Sequence, residues 1–148
     1  MKNAFSSVRL TLVFNRVAAV LVVALIPVLP SFLRFYSDLR NLDHTQFLSV
    51  MIGYYCCVPV VELALWHLDK LLRNILQEQV FTSENVRRIR SIRWCCFGIS
   101  LLCLPIAFIY CPLLFMVVIM GFLSLVISVL VKVMDAAVTI REENDLTI

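Results

Sequence analysis

Four long apolar stretches constrain the fold of this chain more than any other feature. They cover residues 17–35, 47–66, 94–110 and 113–131. About 20 apolar residues in a helix that rises 1.5 Å per residue cross the roughly 30 Å hydrocarbon layer of a bilayer. The sequence therefore predicts four transmembrane helices, joined by short loops as an antiparallel bundle.

The composition excludes a soluble protein of this length. The chain has 148 residues, of which 61% are hydrophobic and 16% are charged. Soluble domains have roughly 45–50% apolar and about 25% charged residues, and so small a domain cannot bury such an excess of apolar surface. We expect one domain and an all-α, polytopic membrane protein. The first stretch contains Pro27 and Pro30 and no small-residue cleavage site, which favours a retained helix over a signal peptide.

Basic residues are distributed unevenly over the loops, and this sets the predicted orientation. Eleven of the 13 Lys and Arg residues lie in segments 1–16, 67–93 and 132–148, whereas the loop after the first stretch has only Arg34 and Arg40. Lys and Arg are enriched in cytoplasmic loops. These three segments, which include the N- and C-termini, are therefore expected in the cytoplasm.

Two of the stretches are predicted to continue as amphipathic helices into the cytoplasm. Apolar residues with helical spacing follow the second stretch: Leu68, Leu71, Leu72, Ile75 and Leu76. A second apolar stripe follows the fourth: Val133, Ala136, Ala137 and Ile140. Such stripes favour helical extensions that pack on each other or lie along the lipid headgroups.

A short arginine-rich helix is predicted directly before the third stretch. Thr82 or Ser83 is the expected N-cap, and Glu84 in the first turn suits the helix dipole. Arg88 follows Glu84 by four residues, a spacing that favours an ion pair. The other arginines form one edge of this helix, here called the arginine edge: Arg87, Arg90 and Arg93.

The arginine edge has two interpretations. Together with Arg88 it contacts anionic lipid headgroups, or it is a docking surface for an acidic segment. The candidate segment within the chain is its own C-terminal tail. The acidic residues of that tail are Glu142, Glu143 and Asp145.

Two motifs together resemble one protein family. The first runs from Phe81 to Trp94 (FTSENVRRIRSIRW), and the second is the final segment 141–148 (REENDLTI). Both are similar to signatures of the bacterial membrane proteins of domain-of-unknown-function family 2975, and the similarity covers the whole chain. The resemblance implies a four-helix protein of the bacterial inner membrane with no established activity. Arg93 departs from the family pattern, in which a glycine precedes the tryptophan.

The same resemblance implies a partner. Genes of this family often neighbour a small helix-turn-helix transcription regulator of the Cro/CI type. This chain itself has no helix-turn-helix, because its arginine-rich helix runs directly into a membrane span. Direct nucleic-acid binding is therefore not expected.

Glu62 is the only ionisable residue well inside a predicted span. A carboxylate in hydrocarbon is costly and is by default a functional-site candidate. Glu62 precedes Trp66 by four residues, which places it about 6 Å inside the inner interface. Arg16, Arg93 or Lys132 is expected near it. This favours a structural ion pair or a neutral carboxyl group over a proton or substrate role.

The cysteines do not predict a metal site. Cys57 is expected about 14 Å from the inner interface and Cys96 about 3 Å from it. A metal ion bonds to sulfur over roughly 2.3 Å. The adjacent pairs Cys56–Cys57 and Cys95–Cys96 are therefore too far apart in depth to share one ion. Cys103 is level with Cys57, and both are expected to act as small apolar residues. Neither a metal ion nor a cofactor is expected.

No pattern predicts an enzyme. His44 and His67 are expected on opposite sides of the membrane, and a chain with three glycines has no Gly-rich phosphate loop. Ser124 and Ser128 form a small-residue face that packs the fourth helix on the third or mediates self-association, so the oligomeric state stays open.

These observations favour a membrane-anchored regulator or sensor that binds a cytoplasmic partner. The outer side has one short loop and a tight turn, whereas the inner side has the arginine edge, two helical extensions and the acidic tail. One alternative is a small transporter or ion-conducting protein that uses Glu62. Another is a structural membrane protein whose arginines contact lipid headgroups only.

Overall fold

The computed structural model describes residues 2–40, 43–77 and 82–145, with the side chains of all of these except residues 2–6, 40, 142 and 145. Over this part of the chain it contains four α-helices and no β-strand. Their bounds are α1 Lys2–Arg40, α2 His44–Leu76, α3 Ser83–Ile109 and α4 Leu113–Asp145. Each predicted span falls on a different helix, and all four helices are long and apolar enough to cross a membrane. The predicted all-α membrane fold is confirmed.

Consecutive helices are antiparallel, and polar or thiol contacts fix their register. These contacts are Asn15 to Leu65 and Tyr55 to Ile26 between α1 and α2, Asn74 to Asn85 and Cys57 to Cys103 between α2 and α3, and Ser100 to Val117 and Ser124 to Arg93 between α3 and α4. Within the described ranges each helix packs only against its neighbours in the sequence, so α1 and α4 do not meet. The bundle is therefore open between its first and last helices.

The bundle has two chemically different ends. The arginine-rich end consists of residues 7–16, 65–77, 82–93 and 124–145. The opposite end consists of residues 36–40, 43–46 and 109–113, and includes the tight turn between α3 and α4. In that turn the backbone N–H of Leu113 donates to the carbonyl of Tyr110 over 3.0 Å.

Most large apolar side chains point away from the bundle. Phe108, Phe14 and Phe115 are 86%, 74% and 74% exposed. A soluble protein does not leave so much apolar surface in water, whereas acyl chains cover it at no hydrophobic cost. Between the helices, small residues allow close approach. A Cβ atom on Gly53 of α2 would collide with Ile106 of α3.

An apolar cluster packs the helical extensions at the arginine-rich end. Its buried members are Val86, Ile89, Val131 and Val138, with Leu71, Ile127 and Met134 packed against them. The predicted extension of α2 contributes Leu71 to this cluster, and its neighbour Leu72 is buried. Both extensions are helical, as α2 continues to Leu76 and α4 to Asp145.

Val133 and Ile140, which belong to the stripe predicted on the α4 extension, do not pack on this cluster, so contact with the lipid headgroups stays the prediction for them. Val133 and Ile140 are 61% and 65% exposed, whereas Val131, Met134 and Val138 face the cluster. Residues 125–134 of α4 are apolar on nearly every side, with Ser128 and Lys132 as exceptions. Periodicity therefore could not select the face that meets α3.

Ser124 packs α4 against α3. It is buried, and its hydroxyl donates to the carbonyl of Arg93 over 3.3 Å. The hydroxyl of Ser128 donates within α4, to the carbonyl of Ser124 over 2.9 Å. Ser124 thus contributes to contact between helices of one chain, as one of the two alternatives predicted.

Candidate functional site

The arginine-rich helix begins where the sequence predicts. Thr82 is the N-cap residue, with extended backbone angles (φ −127°, ψ 144°), although its hydroxyl is buried and makes no capping hydrogen bond. The predicted ion pair joins Arg88 Nη2 to Glu84 Oε1. The Arg88 side chain is only 15% exposed. Arg88 therefore stabilises the first turns of α3 and is poorly placed to meet a partner.

The three residues of the arginine edge differ in environment. Arg87 and Arg90 are exposed, and neither has a carboxylate within 4.0 Å among the described side chains. Arg93 is half-buried, and its guanidinium lies 5.2 Å from the centre of the Trp94 ring, as in a cation–π contact. The edge therefore presents two unpaired cations and a third that rests on an aromatic ring.

Two tryptophans mark the level at which the arginine edge begins. The register between α2 and α3 places Trp66 and Trp94 at the same height, and both are more than half exposed. Lys70 Nζ lies 3.7 Å from the centre of the Trp66 ring, in parallel with Arg93 on Trp94. Tryptophan with a nearby cation is typical of a membrane–water interface. The two residues therefore mark the expected height of the membrane–water interface at the arginine-rich end, here called the aromatic belt.

Distance from the belt separates Arg87 from the lipid region. At 1.5 Å per residue, Arg90 and Arg87 are about 6 and 10 Å beyond Trp94 along α3. The headgroup layer is roughly 5 to 8 Å thick on each side of the hydrocarbon. With the interface at Trp94, Arg90 is expected at headgroup height and Arg87 at the aqueous limit of the headgroup layer.

The register of α3 and α4 keeps the acidic tail away from the arginine edge. Because Ser124 is level with Arg93, Arg87 is level with about residue 130 of α4. Glu143 lies about 20 Å further along α4 than that level, and α4 remains helical through Asp145. The side chains of Glu142 and Asp145, and residues 146–148, lie outside the described part of the chain. For Glu143, whose side chain is described, a contact with the arginine edge is therefore not formed.

Asp69 joins α1 to α2 at the same end. Its Oδ1 is 3.0 Å from Arg16 Nε, and its Oδ2 is 2.8 Å from Arg73 Nε. This site was not predicted from the sequence. The spacing of Asp69 and Arg73, four residues apart on one helix, could have indicated that pair. The contact with Arg16 depends on the packing of two helices and has no local signal.

Of the two structural alternatives predicted for Glu62, the ion pair is not formed among the described residues. Glu62 is half-buried, and its Oε1 is enclosed without a hydrogen-bond partner among the described groups. Arg16 binds Asp69 instead, Arg93 lies on Trp94, and Lys132 is exposed on α4. The physical reason is competition. Asp69 lies nearer the aqueous end of α2 than Glu62, so Arg16 pairs there with less loss of hydration.

Buried amides form a second set of contacts that the sequence did not predict. Asn85 is fully buried and accepts a hydrogen bond from Asn74 Nδ2 over 2.8 Å, which joins α2 to α3. Asn15 of α1 is also buried, and its Nδ2 donates to the carbonyl of Leu65 over 3.0 Å. Because polar side chains between membrane helices bond across the interface, these amides help to set which helices are neighbours.

A cavity of about 270 Å³ lies in the middle of the bundle and is lined by all four helices. Its walls are almost entirely apolar. The Sγ atoms of Cys57 and Cys103 face each other at 3.7 Å, which confirms the prediction that the two residues share one depth. Tyr54 also lines the cavity, and its hydroxyl is enclosed without a partner in the described part of the chain. Among the described residues, no three His, Cys, Asp or Glu side chains cluster.

Four apolar helices with an outward apolar surface and an aromatic belt define a multi-pass α-helical membrane protein. The family model described as "Protein of unknown function (DUF2975)" matches residues 2–148. The chain therefore belongs to this family, as the two sequence motifs indicated. Comparisons with curated proteins and with solved structures gave no match.

Proposed function

We propose that the protein is a membrane-anchored regulator or sensor that binds an acidic surface of a cytoplasmic partner through Arg87 and Arg90. In this proposal the arginine-rich end faces the cytoplasm, and so do both termini. One observation carries the proposal: these two arginines are exposed and lack a carboxylate partner in the described structure, while the nearby Arg16, Arg73 and Arg88 are already paired.

The register favours a separate partner over the protein's own tail. Glu143 is about 20 Å along α4 from the level of Arg87, and an arginine side chain cannot span that length. A small helix-turn-helix regulator with an acidic patch is a suitable partner, as the family resemblance implies.

Charge alone is too weak for stable binding. An exposed ion pair contributes only about 0–1 kcal/mol, whereas micromolar affinity needs about 8 kcal/mol. Apolar burial has to supply the rest. The α4 extension offers it, because Val133 and Ile140 are largely exposed at the same end. A partner that contacts Arg87 and covers these side chains meets both requirements.

Affinity capture from native membranes tests the proposal with charge-matched variants. Arg87→Gln/Arg90→Gln and Arg9→Gln/Arg141→Gln each remove two positive charges from exposed positions at the arginine-rich end. We expect the wild type and the second variant to recover the same cytoplasmic protein, and the first variant to lose it. Equal recovery by all three forms would contradict the proposal.

Anionic lipid is the competing ligand of the same arginines. Nanodiscs that contain only zwitterionic lipid remove it. Partner capture that persists in such nanodiscs supports protein docking at Arg87 and Arg90. Recovery of lipid alone from native membranes, with no captured protein and no change in transcription when the gene is deleted, contradicts the regulator and favours the structural alternative.

The enclosed carboxyl group of Glu62 favours a second candidate, a small transporter or ion-conducting protein. An unpaired acid inside a span is typical of proton and ion pathways. Transporter sites, however, are generally built from broken helices, and α1, α2 and α3 stay helical across their prolines. Flux measurements in proteoliposomes distinguish the candidates. Flux that is present in the wild type and absent in Glu62→Gln would favour transport.

A further inference from the structure

The central cavity collects sulfur atoms from three helices. The thiols of Cys57 on α2 and Cys103 on α3 are 3.7 Å apart. Met116 and Met120 of α4 line the same cavity, four residues apart and hence on one face of the helix. The Tyr54 hydroxyl is the only polar side-chain group among the other lining residues. A soft ligand set therefore surrounds an otherwise apolar space.

The separation of the two thiols suits a shared metal ion. Two sulfur ligands of a tetrahedral ion, each about 2.3 Å from the metal, are about 3.8 Å apart. The observed 3.7 Å is close to that value. Neither helix has to move along its axis to bring both sulfur atoms to one ion.

The chemistry of the ligands selects the class of ion. Magnesium and calcium require oxygen ligands, and the cavity offers no carboxylate. Structural zinc sites are built from thiolates and imidazoles, and no histidine lines this space. Thiolate and thioether sulfur together prefer Cu(I). A monovalent ion also needs only one thiolate for neutrality, and an uncharged complex avoids the cost of a net charge in an apolar medium.

We propose that this cavity binds one Cu(I) ion, with Cys57 and Cys103 as principal ligands and Met116 and Met120 as thioether ligands. In the binding step one thiol loses its proton and forms the Cu–S bond. The second thiol and the thioethers bind as neutral donors. One proton is released for each ion bound, and no oxidant or reductant takes part. Met116 is 46% exposed and lies on the rim of the cavity.

This site is independent of the docking surface at Arg87 and Arg90. The expectation of no metal site treated Cys57 and Cys103 as small apolar residues. It did not include the methionines of α4, because their approach to Cys57 and Cys103 depends on the packing of the bundle.

A Cu(I) competition assay on the full chain tests the site. The purified, reduced protein in nanodiscs is titrated anaerobically with Cu(I) against a chromogenic Cu(I) chelator. We expect one ion per chain and one proton released per ion. Outer-shell partners of metal sites contribute about 10- to 100-fold in affinity, so the loss of a direct ligand in Cys57→Ser or Cys103→Ser is expected to weaken binding more than about 100-fold. Met116→Leu/Met120→Leu is expected to weaken it about tenfold.

Cys56→Ser is the matched control. Cys56 precedes Cys57 on α2 but is exposed and does not line the cavity. Binding by Cys56→Ser that equals the wild type supports the site, whereas an equal loss in Cys56→Ser and Cys57→Ser contradicts it. Thermal unfolding of each variant without metal establishes that it folds. The methionine variant, which retains both thiols, tests the site if a cysteine variant does not fold.

X-ray absorption of the loaded protein identifies the ligands directly. We expect a first shell of sulfur alone at about 2.3 Å. Nitrogen or oxygen in that shell would overturn the proposal, as would unchanged affinity in Met116→Leu/Met120→Leu.

Discussion

At the arginine-rich end, charged and amide side chains join α1, α2 and α3, whereas at the opposite end the described polar contacts involve uncharged groups at longer distances. The first set comprises the two arginines that bind Asp69 and the bond from Asn74 to Asn85. At the opposite end the hydroxyls of Tyr36 and Tyr110 are 3.2 Å apart, and Gln46 reaches the carbonyl of Ile109 at 3.4 Å.

This difference shows which end of the bundle determines the pairing of the helices. Packing in lipid has little hydrophobic driving force, so polar contacts decide which helices become neighbours. Short loops already hold the helices together at the opposite end. At the arginine-rich end α4 runs on to Asp145, and side chains have to order the extensions. The same end presents the unpaired arginines, so its polar chemistry serves both assembly and binding.

The largest expected effect is on chemical accessibility in intact cells. Cys111 is exposed at the opposite end, and Ser83 is exposed at the arginine-rich end. Two variants are compared, each with a single cysteine: one keeps Cys111 and the other carries Ser83→Cys. A membrane-impermeant maleimide is expected to label Cys111 fully and Ser83→Cys not at all. This follows from the enrichment of Lys and Arg on the cytoplasmic side. Labelling of Ser83→Cys before cell lysis would reverse the orientation. Labelling of both positions after lysis is the control.

A smaller effect is expected on stability when one polar contact is removed at each end. Asn85→Ala leaves the half-buried amide of Asn74 without its acceptor, which is expected to cost about 1–3 kcal/mol. Gln46→Ala removes a long hydrogen bond near the surface and is expected to cost less than about 0.5 kcal/mol. Reversible unfolding in mixed micelles measures both values. Equal costs would remove the distinction between the two ends.

The sequence predicted the features that depend on one helix at a time. Span length follows from the apolar runs, and the pair of Glu84 and Arg88 follows from helical spacing. Counting residues from Trp66 and Trp94 was enough to place Cys57 and Cys103 at one depth. Such features need no knowledge of which helices are neighbours.

Features that depend on competition between helices were not predictable. Glu62 and Asp69 both lie near Arg16 in the antiparallel register, and only the packed structure shows that Asp69 is its partner. The sequence also could not indicate which face of α4 is buried, because apolar residues such as Val131 and Val133 lie on nearly every side of that helix. The pair of Asn74 and Asn85 has no local signature, since asparagine is common at solvated positions.

Glu62→Gln is expected to change stability by less than about 1 kcal/mol. No ion pair among the described residues is broken by this change, and an amide is easier to bury than a carboxylate. The melting temperature in detergent measures the effect, with Asn85→Ala as a reference. A loss as large as that of the reference would reveal a partner of Glu62 that is essential for assembly.

The smallest effect concerns the ion pairs of Asp69. The side chains of Arg16 and Arg73 are 54% and 56% exposed, so each pair is expected to contribute about 0–1 kcal/mol. Asp69→Asn therefore costs little, and the cost is expected to fall as salt rises. The screening length decreases from about 10 Å at 0.1 M to about 3 Å at 1 M.

Asp135→Asn is the matched control for this last effect. Asp135 is exposed on α4 at the same end, has no ion pair in the described structure, and uses its backbone carbonyl to accept from Thr139. Unfolding measured at both salt concentrations is expected to show a salt-dependent cost for Asp69→Asn and none for Asp135→Asn. If the two variants respond alike, the charges around Asp69 act as a general field at this end and not as a specific link between α1 and α2.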